Sequence, residues 1–235
     1  MKRRALVVAL AAAAALALPL LAAEAQRRAA PAQADWTRTA VRTAEGGFRM
    51  GNPNAPIKVI EYLSLACVHC QAFARESHPR LAQNYIRPGR VSIEYRNIVL
   101  NGPDVAATVL TRCAAPRAFF AMAHELLATR EQWLGRMSAI PQAQRAEIGR
   151  LPPMQAVQRV VPLLGLDQVA ARHGLTPAAQ RACLSTQANF DRIEQMARTG
   201  HDQFGVEGTP TFIINGRTIT DTNVWSGIEP LLGGR

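Results

Sequence analysis

Cys67 and Cys70 stand two residues apart in "SLACVHCQAF" (residues 64–73), with Val68 and His69 between them. Two thiols at this spacing can hold a zinc ion, anchor a haem, staple a loop, or exchange electrons between dithiol and disulfide. Haem attachment requires histidine directly after the second cysteine, and Gln71 stands there instead. A structural zinc site calls for a second close ligand pair. The remaining cysteines, Cys113 and Cys183, lie far from each other and from any histidine at ligand spacing, and His124 opens "HELLA" rather than H-E-x-x-H. Copper(I) held by Cys67, Cys70 and a histidine stays compatible with the residues, because soft thiolates suit that ion. A staple across two residues would add little, since stabilisation grows with the length of chain enclosed. Thiol–disulfide exchange accounts best for the placement.

The neighbouring segments say how the cysteines would be held. "IKVIEYL" (57–63) is dense in β-branched and apolar residues, as in a strand buried on both faces. "CVHCQAFARESH" contains no breaker before Pro79, so a helix is predicted to begin at the cysteines. Cys67 would then face unsatisfied N–H groups and the positive end of the helix dipole, which lower a thiol pKa from ~8.5 into the range of about 3.5–7.5. Cys70, one turn further in, should be more buried. His69 would add positive charge or a donor near the sulfur. Glu61, within "VIEYL", is expected to be buried, with its pKa raised by desolvation. His124 is expected to pack on a helix face, and His78, His173 and His201 to be surface or cap residues.

Further along, "VSIEYRN" (91–97) alternates apolar Val91, Ile93 and Tyr95 with polar Ser92, Glu94 and Arg96, the pattern of a second strand. From 102 to about 203 the apolar spacing is helical, punctuated by Pro and Gly. "TFIINGRTIT" then holds two β-rich runs around Asn215-Gly216, the preferred pair for a type I′ turn. "DTNVWSGIEPLLGG" reads as a closing helix capped by Asp221 or Thr222, with Pro230 kinking or ending it. No internal repeat is present.

The amino terminus bears on redox compartment. Lys2, Arg3 and Arg4, an apolar run from Ala5 to Ala23, and the small-x-small Ala23-Glu24-Ala25 have the layout of a secretory signal peptide cleaved after Ala25. The rival, a retained membrane anchor, suits the alanine-rich run less well. Removing residues 1–25 leaves 210 residues, and the net charge goes from +10 to +8. The cations are scattered arginines, with Lys2 and Lys58 the only lysines, and no nucleic-acid motif accompanies them. Residues 26–45 read as a flexible lead-in. In an oxidising compartment four cysteines allow three pairings. The short spacing favours Cys67–Cys70 and leaves Cys113 with Cys183; two buried free thiols are the alternative.

"GGFRMGNPNAPIKVIEYLSLACVHCQAF" and "FGVEGTPTFIING", with the helical block between them, resemble the DsbA-like thioredoxin-fold family of exported disulfide oxidoreductases over most of residues 46–235. The resemblance implies an α/β thioredoxin fold (46–101 and 204–235) interrupted by a large helical insertion domain (102–203). It also implies Cys67 as nucleophile, Cys70 as resolving cysteine, and Glu61 as a buried acid that helps move protons. Pro210 would be cis and face the disulfide, and Thr209 would present its backbone to an extended substrate chain; Thr209 and Val68 are the candidate substrate contacts. A second, structural disulfide between Cys113 and Cys183 is similar to one found in some members. Two positions depart from the best-known oxidases: Val68 replaces proline before His69, and Thr209 resembles the isomerase-type members. Residues 26–45 are short for the dimerisation domain of those isomerases, so a monomeric oxidase is expected. The function implied is donation of the Cys67–Cys70 disulfide to unfolded or reduced secreted proteins in the cell envelope. Reoxidation would come from a membrane quinone-linked, DsbB-like thiol oxidase, with no cofactor and no nucleic acid. An isomerase or reductase of the same fold is the alternative, and a periplasmic copper-binding protein a further one.

Overall fold

Strands form over the β-branched runs at 57–63, 91–97 and 211–219 and at two further places near the amino terminus. The computed structural model describes residues 34–233; the expected signal peptide and residues 26–33 of the lead-in lie outside the described residues. The strands are β1 (Ala40–Arg42), β2 (Phe48–Gly51), β3 (Ile57–Leu63), β4 (Val91–Asn97), β5 (Thr211–Ile214) and β6 (Arg217–Ile219). They lie in the order β1-β2-β4-β3-β5-β6. β3 and β4 run parallel, and every other neighbouring pair is antiparallel. Parallel neighbours need a crossover, and here it carries helix α1 (Val68–Arg80).

One local reading changes and two gain detail. Residues 40–42, read as flexible lead-in, pair with β2 in the register Ala40↔Met50 and extend the sheet. The polar face of β4 does not meet water, because all seven of its residues are buried. Glu94 and Arg96 satisfy each other there at 2.7 Å, with Thr43 Oγ1 donating to Glu94 at 2.9 Å and Arg96 Nη1 donating to the Tyr62 hydroxyl at 3.2 Å. Buried charges persist when paired and hydrogen-bonded in this way. Helix α1 also continues past Pro79 into a wider π turn at Leu81–Ile86; a proline in the last turn removes only one helix N–H.

Between β4 and β5 lie α2 (Gly102–Cys113), α3 (Pro116–Ala128), α4 (Arg130–Gly135), α5 (Gln142–Ile148), α6 (Pro153–Leu164), α7 (Leu166–Arg172), α8 (Pro177–Leu184) and α9 (Gln187–Phe204). The punctuation is chemical. Pro116, Pro153 and Pro177 open helices, where a missing N–H costs nothing. Gly165 and Gly205 close them in the left-handed conformation. The helical block shares its core with the sheet: Phe48 of β2 stacks on Phe119 of α3 at 3.8 Å, and Tyr95 of β4 meets Phe120 at 5.1 Å. Cys113, ending α2, and Cys183 in α8 are joined as a disulfide across a sequence separation of 70.

Asn215 and Gly216 both have positive φ, 49° and 82°, as a type I′ hairpin requires. The Asn215 carboxamide accepts from the Lys58 N–H at 2.8 Å and ties the hairpin to β3. The tail forms α10 (Trp225–Ile228) and a 3-10 turn (Glu229–Leu232) with Pro230 in its first turn. Its cap differs from expectation. Val224 occupies the N-cap position, and Thr222 accepts the Val224 N–H at 3.4 Å one step outside the helix. The start is fixed by Trp225, which is buried against Phe73.

Candidate active site

The cysteines sit where β3 hands over to α1. Ser64, Leu65 and Ala66 make the turn, and its geometry is set from outside. Asp104, fully buried near the start of α2, accepts from Ser64 Oγ at 2.6 Å, from the Leu65 N–H at 3.2 Å and from the Leu100 N–H at 2.9 Å. Arg130, opening α4, donates its Nε to the Ala66 carbonyl at 2.5 Å. A turn fixed from two helices of the insertion holds the next residue still.

That next residue is Cys67, the N-cap of α1, in extended conformation with its sulfur accepting the Cys70 N–H at 3.5 Å. Its pKa is brought down from 9.0 to about 5. The Cys70 thiol hydrogen-bonding to the sulfur is the largest cause; the Thr209 side chain and the N–H groups of Cys70 and His69 add to it, and together they outweigh burial. In its protonated form the Cys67 thiol donates to the Thr209 carbonyl at 3.2 Å. That bond favours the thiol, and the donors around the sulfur overcome it. Cys70 has the opposite environment: it is fully buried, and burial first, then the Cys67 hydrogen bond and the Glu61 charge, push its thiol well above the usual range. One sulfur is built to be an anion and its neighbour to be protonated. Both are free thiols in this structure.

The sequence-predicted residues fall around this pair. Val68 is half exposed beside Cys67, and His69 is exposed. What His69 gives the sulfur is its backbone N–H. The Thr209-Pro210 peptide is cis, and it lies against Cys67 although 142 residues separate Thr209 from it. Beside Pro210 opens a cleft of about 400 Å³, walled by Glu207, Thr211, Thr220, Asp221 and Asn223. Glu61 is 1% exposed. Burial, and secondarily the Cys67 charge, raise its pKa from 4.5 to about 8, and its Oε2 has no hydrogen-bond partner.

Other residues near the site were not singled out by the sequence. Asp104 and Arg130 position the turn, and only the helix-start pattern Asn101-Gly102-Pro103-Asp104 hints at the former, with Asn101 Oδ1 accepting the Asp104 N–H. His78, read as a surface residue, is instead packed inward, its ring 3.7 Å from that of His124 and its Nε2 2.8 Å from the Tyr95 hydroxyl. His124 does pack on a helix face, within α3.

Comparison with known proteins agrees with this geometry. A Rickettsia bellii protein provisionally named protein-disulfide oxidoreductase is 26% identical over 177 residues, 73% of this chain and 58% of that protein. The chain thus spans less than two thirds of that relative's length. Among solved structures, a protein-disulfide isomerase from Novosphingobium aromaticivorans superposes with a TM-score of 0.73 at 26% identity, over 79% of this chain and 97% of that one. Wolbachia pipientis alpha-DsbA1 superposes with a TM-score of 0.62 at 20% identity, over 82% and 92%. The Thioredoxin family profile matches residues 43–232, and with the cysteine pair at the end of β3 and the cis-proline loop facing it, the chain belongs to the thioredoxin family.

Proposed function

We propose that the protein is an exported thiol:disulfide oxidoreductase that donates a Cys67–Cys70 disulfide to reduced polypeptides in the cell envelope. The observation that carries this reading is the split between the two cysteines: Cys67 caps α1 with its pKa lowered to about 5 and retains 6% exposure, whereas Cys70 is fully enclosed and pushed the other way. A thiolate stabilised in the reduced state makes the disulfide easy to reduce and hence oxidising. A substrate thiolate attacks Cys67 Sγ, the Cys67–Cys70 bond breaks, and its electron pair leaves on Cys70. A second substrate thiolate then attacks the substrate sulfur of the mixed disulfide. Cys67 departs as thiolate, the substrate keeps the new disulfide, and the protein is left reduced by two electrons. The Thr209-Pro210 backbone beside Cys67 offers the substrate an extended edge, in the manner of an added strand. The basic, apolar and small-x-small order of residues 2–25 supports export. The DsbA-like resemblance makes a membrane quinone-linked thiol oxidase the expected route of reoxidation.

A second reading, disulfide isomerisation, is favoured by the likeness to the Novosphingobium isomerase and by Thr209 before the cis proline. The equilibrium constant with glutathione separates the two. An oxidase equilibrates in favour of its dithiol at glutathione ratios that leave an ordinary structural disulfide intact; a strongly reducing value defeats the oxidase reading. Cys67→Ser should abolish exchange, and Cys70→Ser, which lacks the resolving thiol, should accumulate a mixed disulfide when its Cys67 thiolate attacks a disulfide-bonded peptide.

A further inference from the structure

Opening the disulfide leaves an electron pair on the sulfur of Cys70, which has no exposure to solvent. A proton must reach it through the protein. Glu61 is the nearest acid in the chemistry described above, but it is itself 1% exposed and its Oε2 has no hydrogen-bond partner. A single acid without access to solvent can protonate Cys70 once and then has no means of recovering.

The residue beside Glu61 supplies a continuation. Tyr95 on β4 is in register with Glu61 on the parallel strand β3; adjacent strands lie about 4.8 Å apart, and registered residues project from the same face. Tyr95 is 1% exposed. Its hydroxyl meets His78 Nε2 at 2.8 Å and His124 Nε2 at 3.3 Å. His78 shares a helix face with Cys70 and Ala74, at i, i+4 and i+8, and His124 reaches in from α3. Both imidazoles line a cavity of about 340 Å³ between α1 and α3, whose rim carries the exposed Arg75 and Glu131.

We propose that Tyr95, His78 and His124 form a proton relay that links Glu61, and through it Cys70, to the cavity between α1 and α3. The relay rests on the disulfide-exchange reading above. Its residues touch no substrate and act through Glu61. The groups facing it are Glu61 and Cys70 from β3 and α1, Arg75 from α1, and Glu131 from α4 at the rim. When the Cys67–Cys70 bond breaks, the Glu61 carboxyl proton passes to the Cys70 thiolate. The Glu61 carboxylate regains a proton from the hydroxyl of Tyr95, its register partner on β4. The phenol oxygen takes the Nε2 proton of an imidazole, and the Nδ1 of that ring takes one from cavity water. Net, one proton moves from solvent to Cys70, with no further oxidant or reductant, and reoxidation reverses it. Burial keeps His124 near pKa 4 and His78 well below the usual imidazole range. At neutral pH each ring is therefore uncharged, with one nitrogen to donate and one to accept, as a relay requires.

The test follows reduction of the oxidised full chain by dithiothreitol under stopped flow, from pH 5 to 9, in H2O and D2O. Tyr95→Phe and His78→Gln with His124→Gln are expected to slow disulfide opening about ten-fold or more near neutral pH, below the ~10²–10⁴-fold of a direct general acid because these residues act through Glu61. They should change the solvent isotope effect and the pH profile, and leave the equilibrium constant with glutathione unchanged. Adding Tyr95→Phe to Glu61→Gln should slow the reaction no further than Glu61→Gln alone, because both act on one path. Wild-type rates and isotope effects in these variants would overturn the relay while leaving the disulfide-exchange reading intact. A variant that is merely destabilised would slow equally at all pH values and add to Glu61→Gln, which also overturns it. Failure of the wild-type protein to exchange with thiols at all would overturn both.

Discussion

Replacing Glu61 by Gln removes one titrating group from the middle of the core and leaves its shape nearly unchanged. In the folded protein burial raises the Glu61 pKa from 4.5 to about 8. Below 4.5 the carboxyl is protonated in folded and unfolded chains alike, and it costs nothing. Between 4.5 and about 8 unfolding releases a proton, so stability falls as pH rises, and the loss is complete once the folded form ionises too. At ~1.4 kcal/mol per pH unit this amounts to about 5 kcal/mol in the reduced form. The oxidised form carries no Cys67 thiolate, so burial acts alone and about 3–5 kcal/mol is expected. The assay is urea unfolding of oxidised wild-type and Glu61→Gln protein at pH 4 and pH 8. Relative to wild type, the variant should gain most of that amount between the two pH values. A difference that stays constant across the range would refute the burial argument, because glutamine cannot follow a titration that glutamate makes.

Other outcomes follow from the same contacts. Asp104→Ala strands the Ser64 hydroxyl and the Leu65 and Leu100 N–H groups; at about 1–3 kcal/mol for each buried unpaired group, loss of roughly 3 kcal/mol or more is expected in urea unfolding. The same variant should raise the Cys67 pKa, and an unchanged thiolate titration would show that the turn does not depend on Asp104. Cys113→Ala with Cys183→Ala opens a loop of 70 residues and should cost ~4 kcal/mol in the chain-entropy account. Its rate of thiol exchange at Cys67 should equal that of wild type; a changed rate would mean that this bridge takes part in the redox chemistry.

The parts legible in the sequence were those written in local signals. A β-branched run, a breaker-free segment after Cys67 and Asn215-Gly216 state their own conformations, and the strand, helix and hairpin formed at those places. The first two strands did not declare themselves: Ala40–Arg42 and Phe48–Gly51 are three and four residues long, too short for a period to show. Alternation gave β4 its strand but not its burial, because it reports polarity, and Glu94 paired with Arg96 is polar without being wet. Asp104 lies 40 residues from Ser64 and acts through the fold. His78 was hidden for a related reason. Its inward packing is against His124 and Tyr95, on two other elements, and neither contact leaves a mark in the residues around it.

The most direct measurement is the pH titration of Cys67 by the ultraviolet absorbance of its thiolate in the reduced protein. A midpoint of about 5 is expected for Cys67, with Cys70 still protonated far above it. A Cys67 midpoint near 9.0, the value of an unperturbed thiol, would contradict it.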